Sequence, residues 1–261
     1  MAKILFRSFA LVVLLGGVAN AADLPIGVPV SPPGILVPTT WAGPYVGLNV
    51  GGRFLNDRFS TTALPTGSTF SGTLNTWGAM GGLQAGYNWQ FGNVVAGIEA
   101  DANILGGGST TQSNSALGIS DTIKPLGFLL TVRPRLGWAF DHRTLVYGTA
   151  GYAFETVQVE DRVNFGGVVP VAGGGVAPIL TPALSSVNGR LSGWTAGGGL
   201  EYAFSRGVSA KIEYLYVGGL GTLNSRVVST NPALPGASVT VTHNLSSDNI
   251  VRAGVNFHLG Y

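Results

Sequence analysis

Cysteine is absent from the 261 residues. That excludes a disulfide scaffold, thiolate metal sites and a cysteine nucleophile, and it suits an oxidising compartment where a stray thiol is a liability. Charge is scarce too: Asp, Glu, Lys and Arg make up 10% of the chain, against ~25% in soluble domains. No apolar run reaches the ~20 residues that a membrane-spanning helix needs. Glycine is abundant, at 41 residues, and hydrophobic residues reach 45%. Such a chain is too apolar to be disordered, yet it lacks the charge to solvate an ordinary surface. It either folds a large soluble core or presents apolar strands to lipid.

The first 21 residues read as a secretory signal. Lys3 and Arg7 form a basic start, Phe9 to Val18 an apolar run, and Ala19-Asn20-Ala21 a small-residue cleavage site. Of the 14 basic residues, Lys3 and Arg7 leave with it, and 12 remain against 12 acidic ones. The processed chain is formally neutral and carries no electrostatic footprint for nucleic acid. Residues 22–42, with Pro25, Pro29, Pro32, Pro33 and Pro38, read as an extended periplasmic linker.

From residue 43 to 261 the pattern is period-2 alternation with turn signals. Eight segments stand out, at about 43–53, 76–90, 94–103, 126–140, 144–156, 190–204, 208–217 and 249–261. Pro134 interrupts the fourth and points to a bulge or to two pieces. The connections 91–93, 141–143 and 205–207 are short. Those at 54–75, 104–125, 157–189 and 218–248 are long and rich in Ser, Thr, Gly, Asn and Pro. Short turns at one end and long loops at the other are the layout of an all-β, closed, antiparallel transmembrane β-barrel of about eight strands.

Parity sharpens this. Val208, Ala210, Ile212 and Tyr214 share one face, with Lys211 and Glu213 on the other; Val251, Ala253, Val255, Phe257 and Leu259 oppose Arg252. Extended along the strands, the pattern places Arg53, Arg133, Arg135, Lys211 and Arg252 together with Glu99, Asp101, Glu155, Glu201 and Glu213. A soluble sheet turns its charged face to water, whereas a lipid-facing barrel turns it inward. Aromatics decide between them. Trp77 and Trp89, Phe128 and Phe140, and Trp194 and Phe204 bracket their strands. At ~3.3 Å per residue and ~45° tilt, these pairs span about 23–28 Å, near the ~25 Å apolar band of such barrels. With Phe91, Trp138, Tyr202 and Tyr261 they form expected interfacial belts. The ten charges then read as a paired network filling an eight-stranded interior. A secreted soluble eight-stranded ligand carrier fits the strand count as well, and predicts partition into the aqueous fraction without detergent.

Motifs for catalysis, cofactors or metals are missing. Neither a phosphate-binding G-x-x-x-x-G-K-[ST] nor a nucleophile-elbow G-x-S-x-G occurs. His142 sits in a short turn, His243 in the last long loop and His258 near the chain end, too scattered for zinc. A hydrolytic pair of His243 and Asp248 lacks a nucleophile. The apolar stretches 168–173 and 177–180 in the third long loop suit either a binding surface or a cover over the barrel mouth.

Three motifs carry a family resemblance: Ala21-Ala22-Asp23-Leu24-Pro25, Trp41-Ala42-Gly43-Pro44-Tyr45-Val46-Gly47 and Val251-Arg252-Ala253-Gly254-Val255-Asn256-Phe257. The chain resembles the small outer-membrane β-barrel proteins of alphaproteobacteria, similar in shape to the OmpA and opacity-protein barrels. The resemblance implies outer-membrane residence among lipids including lipopolysaccharide. It also implies recognition by the barrel assembly machinery through the last strand (Val251, Val255, Phe257, Leu259 and Tyr261), and a non-enzymatic envelope or surface role. Some relatives in that family are described as porins or haem-binding proteins.

Overall fold

The computed structural model describes residues 40–107, 110–114, 119–124, 127–171, 175–231 and 233–259. The expected signal segment, most of the linker, and Tyr261 lie outside them. Ten strands follow one another: β1 (Gly43–Leu64), β2 (Ser68–Phe91), β3 (Val94–Gly107), β4 (Thr110–Asn114), β5 (Ile119–Lys124), β6 (Gly127–Phe140), β7 (Thr144–Val171), β8 (Gly175–Ala203), β9 (Val208–Val228) and β10 (Ser238–His258). All pair antiparallel in one ring-like sheet. From β1 the ladder passes through β2, β3, β6, β7, β8, β9 and β10 and returns to β1. The short β4–β5 hairpin joins it beside β7.

The three short turns fall where the sequence places them. Gly92 takes a positive φ of 63° between β2 and β3, and Asp141 and His142 do so between β6 and β7, where the Asp141 carboxylate accepts the Thr144 N–H. The four long connections are a correction. The strands run on through most of their length, so β1 and β2 meet across residues 65–67, and β7 and β8 across 172–174. Residues 104–125 supply β4 and β5, raising the strand number above eight. Pro134 makes neither a bulge nor a break. Register on the β7 side is the same at Val132↔Tyr152 and Arg135↔Thr149, and the Pro134 carbonyl accepts the Thr149 hydroxyl at 2.8 Å.

The strand extensions reverse the polarity of the wall. On β1, Val46, Leu48, Val50 and Phe54 face out and Arg53 is buried; farther along, Arg58 and Ser60 face out and Leu55 and Phe59 are buried. On β7, outward Val146, Tyr152 and Phe154 give way to Arg162 and Asn164, while Val157, Val159, Val163 and Phe165 turn inward. The lower part is therefore apolar outside and charged inside. The upper part is polar outside, around an apolar core that includes Phe59, Val163, Phe165, Val241 and Leu245. Alternation persists, but outward Ser, Thr and Asn in these stretches imitate loop composition, which is why sequence reading ended the strands early.

The ladder also divides at this level. β8 and β9 pair only from Trp194↔Gly218 to Ala203↔Ser209, although both continue. β2 leaves β3 beyond Gly78 but stays on β1. Above the division the described strands form two groups, β2–β1–β10–β9 and β4–β5–β7–β8. Gly219 and Gly221, with φ of 66° and 107°, sit where β9 departs.

Candidate functional site

Alternation along β3, β6, β8, β9 and β10 aims eight of the ten singled-out charges at one another. Glu99 is the hub. Its carboxylate accepts from Lys211 Nζ at 2.8 Å, Arg133 Nη2 at 2.8 Å, the Tyr45 hydroxyl at 2.7 Å, and Arg135 and Arg252 at 3.4 Å. Asp101 accepts from Arg133 Nη2 at 2.7 Å and Arg252 Nη2 at 3.2 Å. Glu213 takes Arg252 Nε at 2.7 Å and the Tyr147 hydroxyl at 3.0 Å. Glu201 takes Arg135 Nη2 at 2.8 Å. The Arg135 guanidinium also lies 4.3 Å from the Tyr147 ring centroid, a cation–π contact in a dry setting. Two glycines make room for these rings: a Cβ on Gly86 would lie 2.3 Å from the Tyr45 hydroxyl, and one on Gly199 2.7 Å from that of Tyr147.

Arg53 and Glu155 stand apart from this group. Arg53 Nη2 lies 2.7 Å from Glu155 and 2.7 Å from Asp248. Asp248 falls in a stretch read as loop, considered there only as a partner for His243. A third cluster also comes from such stretches: His243 Nδ1 is 2.8 Å from Asp57 and Nε2 is 3.3 Å from Asp161. Asp57, Asp161 and Asp248 revise the expected balance of five charges of each sign. Among the described residues, eight buried carboxylates face five buried Lys and Arg.

His243 lies above the aromatic level and joins the two strand groups, because Asp57 is on β1 and Asp161 on β7. Burial opposes its charge, but hydrogen bonds to Asp161 and Asp57 outweigh burial and raise its pKa to about 9. A folded-state pKa above the unfolded value gives stability that is full below about pH 6.5 and lost as pH rises through 9. His243→Gln is therefore expected to lower the urea midpoint of unfolding at pH 6 and to have little effect at pH 10. An equal loss at both pH values would remove the charge from the explanation.

His258 is half-buried, with Nε2 3.0 Å from the Ser209 hydroxyl. That hydroxyl donates its proton to Glu201, so the imidazole is not positioned as its base. The pairing of His243 with Asp248 considered from sequence does not form; its partners are Asp57 and Asp161.

The outer face below the division is apolar and edged by rings. Ile212 is 64% exposed, while its neighbours Lys211 and Glu213 are 2% and 1% exposed. Trp77, Trp89, Phe91, Phe128, Trp138, Phe140, Trp194, Tyr202 and Phe204 are all exposed. Phe54, Tyr87, Tyr152, Phe154 and Tyr214 join them; strand register could have found these, since Phe54 pairs with Trp77 and Tyr152 with Trp194.

The family described as outer membrane protein beta-barrel domain matches residues 8–258. The 31 kDa outer-membrane immunogenic protein of Brucella melitensis is 36% identical over 209 residues, covering 76% of this chain and 80% of that protein. The 22 kDa outer membrane protein of Rhizobium leguminosarum is 29% identical, covering 56% of each chain. Among solved structures, the outer membrane protein OprG from Pseudomonas aeruginosa is similar over 84% of this chain and 97% of its own, at 13% identity and a TM-score of 0.48.

Proposed function

Because the chain belongs to the outer membrane protein beta-barrel domain family, we propose that it crosses the outer membrane as a closed eight-stranded barrel with a side-chain-filled interior. In this reading it serves the envelope as a structural and surface-interaction protein. One observation carries the filled interior: side chains from opposite sides of the ring touch. Arg53 on β1 reaches Glu155 on β7 at 2.7 Å, and Lys211 on β9 reaches Glu99 on β3 at 2.8 Å. An ionic lattice strung across the bore leaves no continuous water path, and buried ions are tolerated only when paired in this way. The upper apolar core would act as a second seal.

The exposed band supports lipid contact, since alternating apolar-out and polar-in strands flanked by aromatic girdles are the signature of such barrels. Val251, Val255 and Phe257 lie on its outer face in β10, and Leu259, one residue past the strand, is exposed with them, available to the assembly machinery as an apolar stripe. A non-enzymatic role is favoured by the burial of the hydrolytic pair considered from sequence: His243 and Asp248 are each 0% exposed and turned to other partners.

Purified protein in a planar bilayer is expected to give no stable conductance steps. Reproducible open steps wider than a hydrated ion would replace the sealed interior with a narrow porin.

A further inference from the structure

On the outer face of β6, β7 and β8, the last apolar rows meet the first polar one in a groove of about 390 Å³. Phe128, Leu130, Phe154, Thr156, Arg190 and Ser192 line it. Register fixes their order. Leu130 stands beside Phe154, which stands beside Ser192, and Thr156 stands beside Arg190. The Thr156 hydroxyl accepts the backbone N–H of Phe128 at 2.8 Å, tying the strands together there. Phe128, Leu130 and Phe154 are exposed, so the lower half of the groove is open hydrocarbon. Its upper end carries one guanidinium. Arg190 is exposed, and its side chain makes no hydrogen bond or ion pair among the described residues. The carboxylate beneath it, Glu155, is turned inward and paired with Arg53.

An unpaired cation at the margin of an apolar band, with an aromatic trough below it, is complementary to one kind of molecule: an amphiphile with an anionic head. We propose that this groove holds an anionic glycolipid of the outer leaflet, with an acyl chain along Leu130 and Phe154 and a headgroup phosphate on Arg190. The inference rests on the reading that the apolar band lies in lipid. A guanidinium fork suits phosphate because it offers paired N–H donors in one plane. Other outward arginines do not share this position. Arg162, on the same face, lies six residue pairs farther up the β7–β8 ladder, opposite Leu184.

The test titrates the folded, detergent-solubilised full chain with lipid A bisphosphate and counts bound lipid by native mass spectrometry. Arg190→Gln is expected to weaken binding about tenfold, the loss of one strong charge-assisted contact. Arg162→Gln is expected to bind as the parent does. A zwitterionic phosphatidylcholine should bind parent and Arg190→Gln alike. Equal losses from both arginine variants would reduce the effect to net charge and overturn the site, as would unchanged binding by Arg190→Gln. Heat-modifiable gel migration verifies that each variant is folded. The assay needs no membrane crossing, so its failure would leave the barrel reading to be judged on conductance alone.

Discussion

Glu99→Gln is expected to destabilise the folded protein by roughly 3–5 kcal/mol, the usual cost of removing one partner from a buried ionic cluster. Glu99 is the shared acceptor for Lys211, Arg133, Arg135 and Arg252. Glutamine keeps the shape and loses the charge, so four cations are left with one fewer counter-ion among buried side chains. A double substitution, Glu99→Gln with Lys211→Met, should recover part of the loss because it removes a cation along with its anion. Urea titration of protein refolded into lipid vesicles, followed by heat-modifiable migration, measures both. Arg162→Gln on the outer wall supplies the control and should shift stability by no more than about 0.5 kcal/mol. A Glu99 variant as stable as that control would mean the charges do not hold the interior together.

Ile212→Arg should cost about 2–4 kcal/mol, as cations do on the lipid face near the bilayer midplane. Ile212 lies midway along the outward stripe of β9, beside Leu200 of β8. In a water-soluble sheet, adding charge to so exposed a position would be neutral or would improve solubility. The sign of this one substitution therefore separates lipid from water on that face. Thr242→Arg, on the outer wall above the aromatics, should stay within about 0.5 kcal/mol. If the two variants behaved alike in vesicles, the apolar band would not be in hydrocarbon.

The lower half of the fold was legible because its alternation carries an unambiguous sign. Around Lys211, Ile212 and Glu213, charge and grease trade places at every step, and one parity rule locates all ten charges on the buried face. The upper half obeys the same period with the sign reversed. Ser60 and Asn224 face out while Phe59 and Val227 face in, yet hydroxyl and amide residues are also what loops are made of. Composition outweighed periodicity there, so Asp57 and Asp161 went unassigned, and His243 and Asp248 stood only as loop residues. Their meeting depends on strand register, which sets Asp57 of β1 beside His243 of β10, and on a contact across the ring from His243 to Asp161 of β7, which local pattern does not encode. The glycines under Tyr45 and Tyr147 illustrate the same limit: which ring lies over which glycine follows from inter-strand register.

Room for substitution along the upper walls is confined to every second position. Arg58, Ser60, Asn224 and Arg226 are open to an outside molecule, but each neighbours a side chain such as Phe59, Ser225 or Val227 that is locked in packing. Change on such paired strands keeps a two-residue rhythm, with alternate positions fixed by the chain's own interior. The outward side chains form a lattice set by strand spacing, whose geometry stays constant while its chemistry is free to differ.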